Sequence, residues 1–191
     1  MTSIKKNLLV TGGAGFIGSN FINYIYKKYP NYNIRLLDAL TYAGNLDNIS
    51  NNLKSNGHFQ FSHGNVTQPD IVNQLVSDSD IVVHFAAESH VTRSIYDNSL
   101  FFETDVIGTQ VIANAIVNHP VERFIHISSS EVYGTALNSP MNEDHPLNPM
   151  SPYAAAKAGA DRLVYSYVHT YGIPAVIVRP FNNYGPFQHL E

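Results

Sequence analysis

Tyr153 and Lys157 stand four positions apart, which puts both side chains on one face of one helical turn. An ammonium beside a phenol favours the phenolate. The pair therefore predicts a tyrosine whose pKa falls below its ordinary value of about 10, able to act as a base at neutral pH. The same spacing also suits a half-buried tyrosine beside a lysine that reaches to solvent. Upstream, Ser128-Ser129-Ser130-Glu131 follows an apolar run. Ser129 is placed to hydrogen-bond a reacting hydroxyl, while serines and glutamate equally cap a turn by satisfying free N–H groups.

A second constellation opens the chain. Leu8-Leu9-Val10-Thr11 runs into Gly12, Gly15 and Gly18, three apart, and then into a helical stretch, Asn20 to Lys28. Such a turn lets the chain reverse sharply, brings bare backbone to a pyrophosphate, and points a helix N-terminus at the anion. A second apolar strand, Ile34 to Leu37, closes on Asp38, twenty positions after Gly18, where a ribose-binding carboxylate belongs. A carboxylate there favours the free 2'-hydroxyl of NAD over the extra phosphate of NADP.

The elements that must hold these residues alternate. Apolar runs at Asn7 to Val10, Ile34 to Leu37, Phe59 to Ser62, Asp80 to Ala86, Arg123 to Ser128 and Pro174 to Arg179 are separated by helical stretches. This pattern predicts an α/β fold with a doubly wound parallel sheet, with the fourth and fifth runs in its middle. Helices are expected over Ser99 to Asn118 and Pro152 to Tyr171. A surface helix and loop are expected over Asn45 to Gly57, and a proline-rich loop over Ser139 to Pro152. Ligands in such a sheet gather beyond the strand ends, which adds Ala86-Ala87-Glu88-Ser89-His90 to the site.

Composition narrows the classes. With 191 residues, 44% hydrophobic and 14% charged, the chain reads as a folded globular protein of one large domain or one and a half. Cysteine is absent, which excludes disulfides and thiol chemistry. Net charge is −4 with no Lys/Arg run, so no nucleic-acid footprint is expected. No apolar stretch is read as a membrane span, and Met1 to Lys6 enters a strand too soon for a signal peptide, so a cytoplasmic protein is expected. His84, His90 and His126 fit no ligand spacing, and no metal is expected. Arg93 could pair with a substrate phosphate, with Glu88 or with Asp97. Asn182 could donate to substrate phosphates or simply shape a turn.

The order Thr-Gly-x-x-Gly-x-x-Gly, Asp38, a serine after the fifth strand and Tyr-x-x-x-Lys resembles the extended short-chain dehydrogenase/reductases, whose fold is the Rossmann fold. Leu40-Thr41-Tyr42-Ala43-Gly44-Asn45, Ala86-Ala87-Glu88-Ser89-His90-Val91, Glu131-Val132-Tyr133-Gly134 and Arg179-Pro180-Phe181-Asn182-Asn183-Tyr184-Gly185-Pro186 narrow it to the nucleotide-sugar 4,6-dehydratases, most like the dTDP-glucose type.

This resemblance implies a resident NAD. Tyr153 would take the proton of the sugar 4-hydroxyl, Ser129 would hold that hydroxyl and Lys157 the ribose, and Glu131 would abstract the C5 proton while water leaves from C6. It adds Phe16, Ile17, Asn65, Val66, Ala86, Ala87, Ser89 and Thr104 to the cofactor contacts, and Ser89, His90, Ser129 and Asn182 to the substrate contacts. Residues 1–191 would be the NAD-binding domain, with the C-terminal substrate domain largely absent from this chain. The two long helices would form a homodimer interface. Ser130 stands where that type carries the aspartate that expels water, and Thr92 where an aspartate is usual. Alternatives of the same superfamily are a 4-epimerase or a UDP-glucuronate decarboxylase. A non-catalytic NAD-binding module is a third.

Overall fold

The six apolar runs become six strands, β1 (Asn7–Thr11), β2 (Asn33–Asp38), β3 (Phe59–His63), β4 (Ile81–His84), β5 (Arg123–Ile127) and β6 (Ala175–Val178). A computed structural model describes residues 5–189; Met1 to Ile4, on which much of the signal-peptide reading rests, and Leu190 and Glu191 lie outside the described residues. All strand pairs are parallel, in the order β3-β2-β1-β4-β5-β6. The middle of the sheet is thus β1 and β4, with Leu8 opposite both Ile34 and Ile81. β5, expected at the centre with β4, lies one strand further out, between β4 and β6, because β2 and β3 add to the far side of β1.

The connecting helices are α1 (Phe16–Lys28), α2 (Asn51–Lys54), α3 (Pro69–Ser77), α4 (Val91–Tyr96), α5 (Ser99–Asn118) and α6 (Pro152–Tyr171). α1 starts four residues earlier than expected, because Gly15 in extended conformation serves as its N-cap. Asn45 to Gly57 forms a short 3-10 turn, Leu46–Asn48, followed by the single turn of α2. α6 begins at Pro152 and is capped by Ser151, whose Oγ accepts the Ala154 N–H at 3.1 Å. That cap places Tyr153 in the first turn and Lys157 one turn later.

Two apolar layers sandwich the sheet. On one face Leu9, Val82 and Phe124 pack with Val72 of α3, Ile112 and Ile116 of α5, and Val164 of α6. On the other, Leu8, Val10, Leu36 and Val83 pack with Ile22 of α1 and with Ile49 and Leu53. Each such side chain, fully buried, contributes about 1.5–3 kcal/mol. The second face is covered as far as β4, with Ile125 of β5 at its margin. On β6 its Val176 and Val178 remain 43% and 39% exposed.

α5 corrects one expectation. With 20 residues and a mean hydropathy of 1.3 it is long and apolar enough, by length and composition, to cross a membrane. The charged Glu103 and Asp105 interrupt the run and hide it from a search for uncharged stretches. In the fold, α5 packs between α3 and α6 and contributes six of its residues from Gly108 onwards to the buried core. Between Phe102 and Ile107 it widens to a π turn, a local insertion that shifts the face presented by the rest of the helix.

Candidate functional site

The sheet reverses direction between β1 and β4, and a cleft of about 470 Å3 opens beyond the carboxyl ends of these strands. Its first wall is built from backbone. Gly12 adopts φ +69, and a Cβ there would stand 2.4 Å from the Ala86 backbone nitrogen, so the turn and the loop after β4 touch directly. A Cβ on Gly18 would stand 2.5 Å from the Gly12 carbonyl oxygen, so the first turn of α1 lies against the glycine turn. Gly15 supplies no side-chain cap, and no acidic residue stands in that first turn. The N–H groups at the start of α1 therefore face the cleft.

Asp38 ends β2 at the rim of this wall. Its Oδ2 accepts the Ala14 N–H at 2.9 Å and its Oδ1 the Leu40 N–H at 2.8 Å. A carboxylate has about four acceptor sites, so both oxygens retain capacity for ribose hydroxyls. Phe16, Ile17, Asn65, Val66, Ala86 and Ala87 line the cleft, as do Ser89, His90, Thr104 and Asn182.

The opposite wall is built from charge. Tyr153, Lys157, Ser129 and Glu131 all reach the cleft; Ser130 does not. Ser129 is the N-cap of a single 3-10 turn, Ser130–Tyr133, so neighbouring side chains on that turn diverge, and the Ser130 N–H donates to the Pro180 carbonyl instead. Ser129 does the capping job: its Oγ accepts the Glu131 N–H at 3.1 Å, and the same hydroxyl favours ionisation of the nearby Tyr153 phenol.

The expected lowering of the tyrosine is corrected. Burial raises the Tyr153 phenol above its ordinary pKa; the Ser129 bond opposes this, while Asp105 and Glu131 add to it. Lys157 does not offset the rise, because its Nζ donates to the Ile127 carbonyl at 2.8 Å rather than to the phenol. Burial also lowers Lys157, against the carboxylates of Asp105 and Asp161. Ser94 on α4 braces the helix start, accepting the Tyr153 N–H on its Oγ at 3.1 Å.

Beneath this wall sequence reading missed Asp105 and Thr109, while His84 and His126 lie buried in the core. Asp105 is 1% exposed, and burial pushes its carboxyl up to about 7 against the pull of Lys157. Its backbone oxygen accepts from Thr109 Oγ1 at 2.5 Å, so Thr109 in turn accepts from His84 Nε2 at 3.0 Å, and His84 Nδ1 accepts from Thr11 Oγ1 at 2.7 Å. This network assigns His84 a single neutral tautomer, and burial holds its pKa at about 3. His126 lies 5.5 Å away, ring centre to ring centre, also buried and also held well below its ordinary value by burial. An acidic residue on the apolar stripe of a helix is the one signal that could have revealed Asp105.

Arg93 pairs with Glu88 at 3.5 Å and stacks over the Tyr42 ring, 3.9 Å from its centre. Asp97, the other carboxylate considered, caps the start of α5 through the Ser99 N–H. The Tyr42 hydroxyl meets Ser89 Oγ at 3.2 Å, so the loops after β2 and β4 join across the cleft. Thr92 is exposed on α4, and nothing in the structure explains the change from aspartate. No group of three or more His, Asp or Glu side chains positioned for a metal lies among the described residues.

A parallel sheet reversing at β1 and β4, with a glycine turn on one side of its crevice and a Tyr-x-x-x-Lys helix on the other, defines a nucleotide-cofactor domain of the short-chain dehydrogenase/reductase class. Residues 9–191 match the GDP-mannose 4,6 dehydratase family, and the chain belongs to it. The low-salt glycan biosynthesis protein Agl12 of Haloferax volcanii is 47% identical over 97% of this chain and 59% of its own length. A dTDP-glucose 4,6-dehydratase of Mycobacterium tuberculosis is 46% identical over 96% of this chain and 55% of its own. The dTDP-glucose 4,6-dehydratase DesIV of Streptomyces venezuelae, solved with NAD bound, superposes with a TM-score of 0.90 at 44% identity, covering 96% of this chain and 58% of that one. The chain thus spans somewhat over half the length of the relatives it matches.

Proposed function

We propose that this chain is the NAD-binding and catalytic part of a nucleotide-sugar 4,6-dehydratase of the dTDP-glucose type. The observation that carries the reading is the convergence on one cleft of the glycine turn, Asp38, Ser129, Glu131, Tyr153 and Lys157. NAD fits the first wall, where added Cβ atoms at Gly12 and Gly18 would close the turn and Asp38 keeps free acceptor capacity for a ribose diol. When bound, it supplies a reversible hydride acceptor for C4 of the sugar and a donor for C6.

The protein's own groups do the rest. Tyr153 takes the proton of the 4-hydroxyl, which Ser129 orients, while Lys157 holds the ribose. Glu131 then takes the proton at C5, made acidic by the new ketone, and passes it to the hydroxide leaving C6, which departs as water. Ser130, at the position of the family's aspartate, is not among the side chains that line the cleft. Ser89, His90 and Asn182 line the side from which the sugar nucleotide enters. We further read the protein as a cytoplasmic homodimer. The outer face of α5, where Phe102 and Ile107 stay exposed beside α6, supports the pairing.

The test is incubation of the full gene product with dTDP-, UDP- and GDP-sugars, followed by mass spectrometry. Dehydration removes one water, whereas epimerisation conserves mass and decarboxylation releases carbon dioxide. Loss of one water from a single class, abolished by Tyr153→Phe, is the expected result, and unchanged turnover in that variant overturns the reading.

A further inference from the structure

The first N–H groups of a helix have no partner within it, so each must find one elsewhere. At the start of α6, Pro152 has no N–H to satisfy, and the Ala154 N–H goes to Ser151 Oγ at 3.1 Å. The Tyr153 N–H instead leaves its own segment and donates to Ser94 Oγ of α4 at 3.1 Å, across 59 positions of chain. Ser94 is fully buried. Its hydroxyl donates to the Val91 carbonyl one turn back at 2.6 Å, which holds the Oγ lone pairs toward α6. Both functions of that hydroxyl are therefore used, one within α4 and one on the residue that carries the phenol.

We propose that Ser94 is a positioning residue for Tyr153: by capping the Tyr153 amide from α4, it fixes the start of α6 against the loop after β4 and so sets where the phenol enters the cleft. The role of Tyr153 as base rests on the function proposed above. The cap between the two helices does not. The Ser151 cap acts one residue further on and within the same segment, so it shapes the first turn of α6 without tying that turn to anything across the cleft. Ser94 supplies the missing tie, one bond from the Cα on which the phenol turns.

α4 can act as an anchor because it is itself held from the cofactor side. It packs on α6, and its N-cap, His90, lines the cleft. His90 holds φ +92, a conformation that is costly for a residue with a Cβ and persists only where the surroundings impose it. The His90 carbonyl accepts the Ser94 N–H at 3.3 Å, so the strained residue and the capping residue belong to one turn. Arg93, immediately before Ser94, stacks over the Tyr42 ring of the loop after β2 and pairs with buried Glu88. Consecutive residues of one short helix thus engage the two walls, Arg93 the loop after β2 and Ser94 the start of the Tyr-x-x-x-Lys helix.

The test uses the full gene product and the sugar nucleotide that it turns over. Ser94→Ala removes the acceptor and leaves the Ser151 cap in place, whereas Ser94→Thr keeps the hydroxyl. In Ser94→Ala kcat should fall about ten- to a hundredfold, with KM and calorimetric NAD affinity unchanged, and Ser94→Thr should recover most of the loss. An unchanged kcat in Ser94→Ala overturns the proposal. So does an equal loss in both variants, or a loss matched by NAD affinity, since packing rather than the placement of the phenol would then be responsible. If Ser94→Ala fails to fold, hydrogen exchange of the Tyr153 amide in the unaltered protein, read by NMR, takes its place. Protection like that of amides in the middle of α6 supports the cap, and exchange as fast as at a solvent-exposed helix start overturns it. That measurement needs no turnover, so a failure to dehydrate any sugar counts against the function proposed above and leaves this result standing.

Discussion

The two walls of the cleft hold their shape by opposite means. The wall over β1 and β2 is made of close backbone contacts, Gly12 against Ala86 and Gly18 against Gly12, with one carboxylate pinned by two amide N–H groups. The wall over β5 and α6 buries Asp105, Lys157 and Asp161, with His84 and His126 below them, and balances charge against burial. The first kind of wall rests on backbone contact. The second is a set of titrating groups displaced from their ordinary ranges, as expected where proton transfer is to occur.

Substitutions that spoil each wall should therefore differ in their pH dependence. Lys157→Met strips Asp105 of its cation and should cost about 3–5 kcal/mol at pH well above neutrality. Much of that loss should be regained at about pH 5, where the lone carboxyl takes up a proton; denaturant unfolding at the two pH values checks it. Gly12→Ala should cost about 2–3 kcal/mol at both, since the clash with Ala86 carries no charge, and should abolish NAD binding in a calorimetric titration.

Asp105 and His84 should also tilt the stability of the unaltered protein in opposite directions. The unfolded chain loses the Asp105 proton near 3.8, whereas the fold keeps it to about 7. Folded protein thus binds more protons in between, and this contribution falls as pH rises through that window. For His84 the unfolded chain gains a proton below 6.5 and the fold only near 3, so its contribution rises with pH over that range. Asp105→Asn removes the falling part. The variant should gain about 1–2 kcal/mol over the parent above pH 7, with no gain near pH 4. The smallest effect should come from Asp38→Asn, which keeps the fold's two amide bonds partly satisfied and weakens NAD about tenfold by lost hydrogen-bond strength.

This contrast also explains what could be read from the chain. The glycine turn and Asp38 are local features: a strand, a spacing of three and a closing acid define their geometry before any tertiary contact forms. Tyr153 and Lys157 were equally visible, because one helical turn joins them. What their surroundings do to them was not visible. The direction of the Tyr153 shift depends on Ile127 capturing the lysine and on Asp105 arriving from a helix some fifty residues earlier. Ser130 follows Ser129 in the string, yet the tight turn after β5 keeps it out of the cleft lining that Ser129 joins. The strand β4 stops at His84 rather than Ala86 because the chain must leave the ladder to pass under Gly12. The meeting of Tyr42 with Ser89 and Arg93 joins two loops whose sequences carry no sign of each other.

The unequal covering of the sheet has a practical consequence. Beyond β5 the second face carries no helix among the described residues, and β6 offers Val176 and Val178 to solvent next to a row of edge amides with no strand beside them. An apolar face continuous with an open strand edge is an adhesive surface for any other strand. Residues 5–189 prepared by themselves should accordingly scatter light increasingly with concentration and warmth. A charged substitution such as Val176→Lys should raise the solubility limit while leaving the cleft, whose lining does not include Val176, as it was.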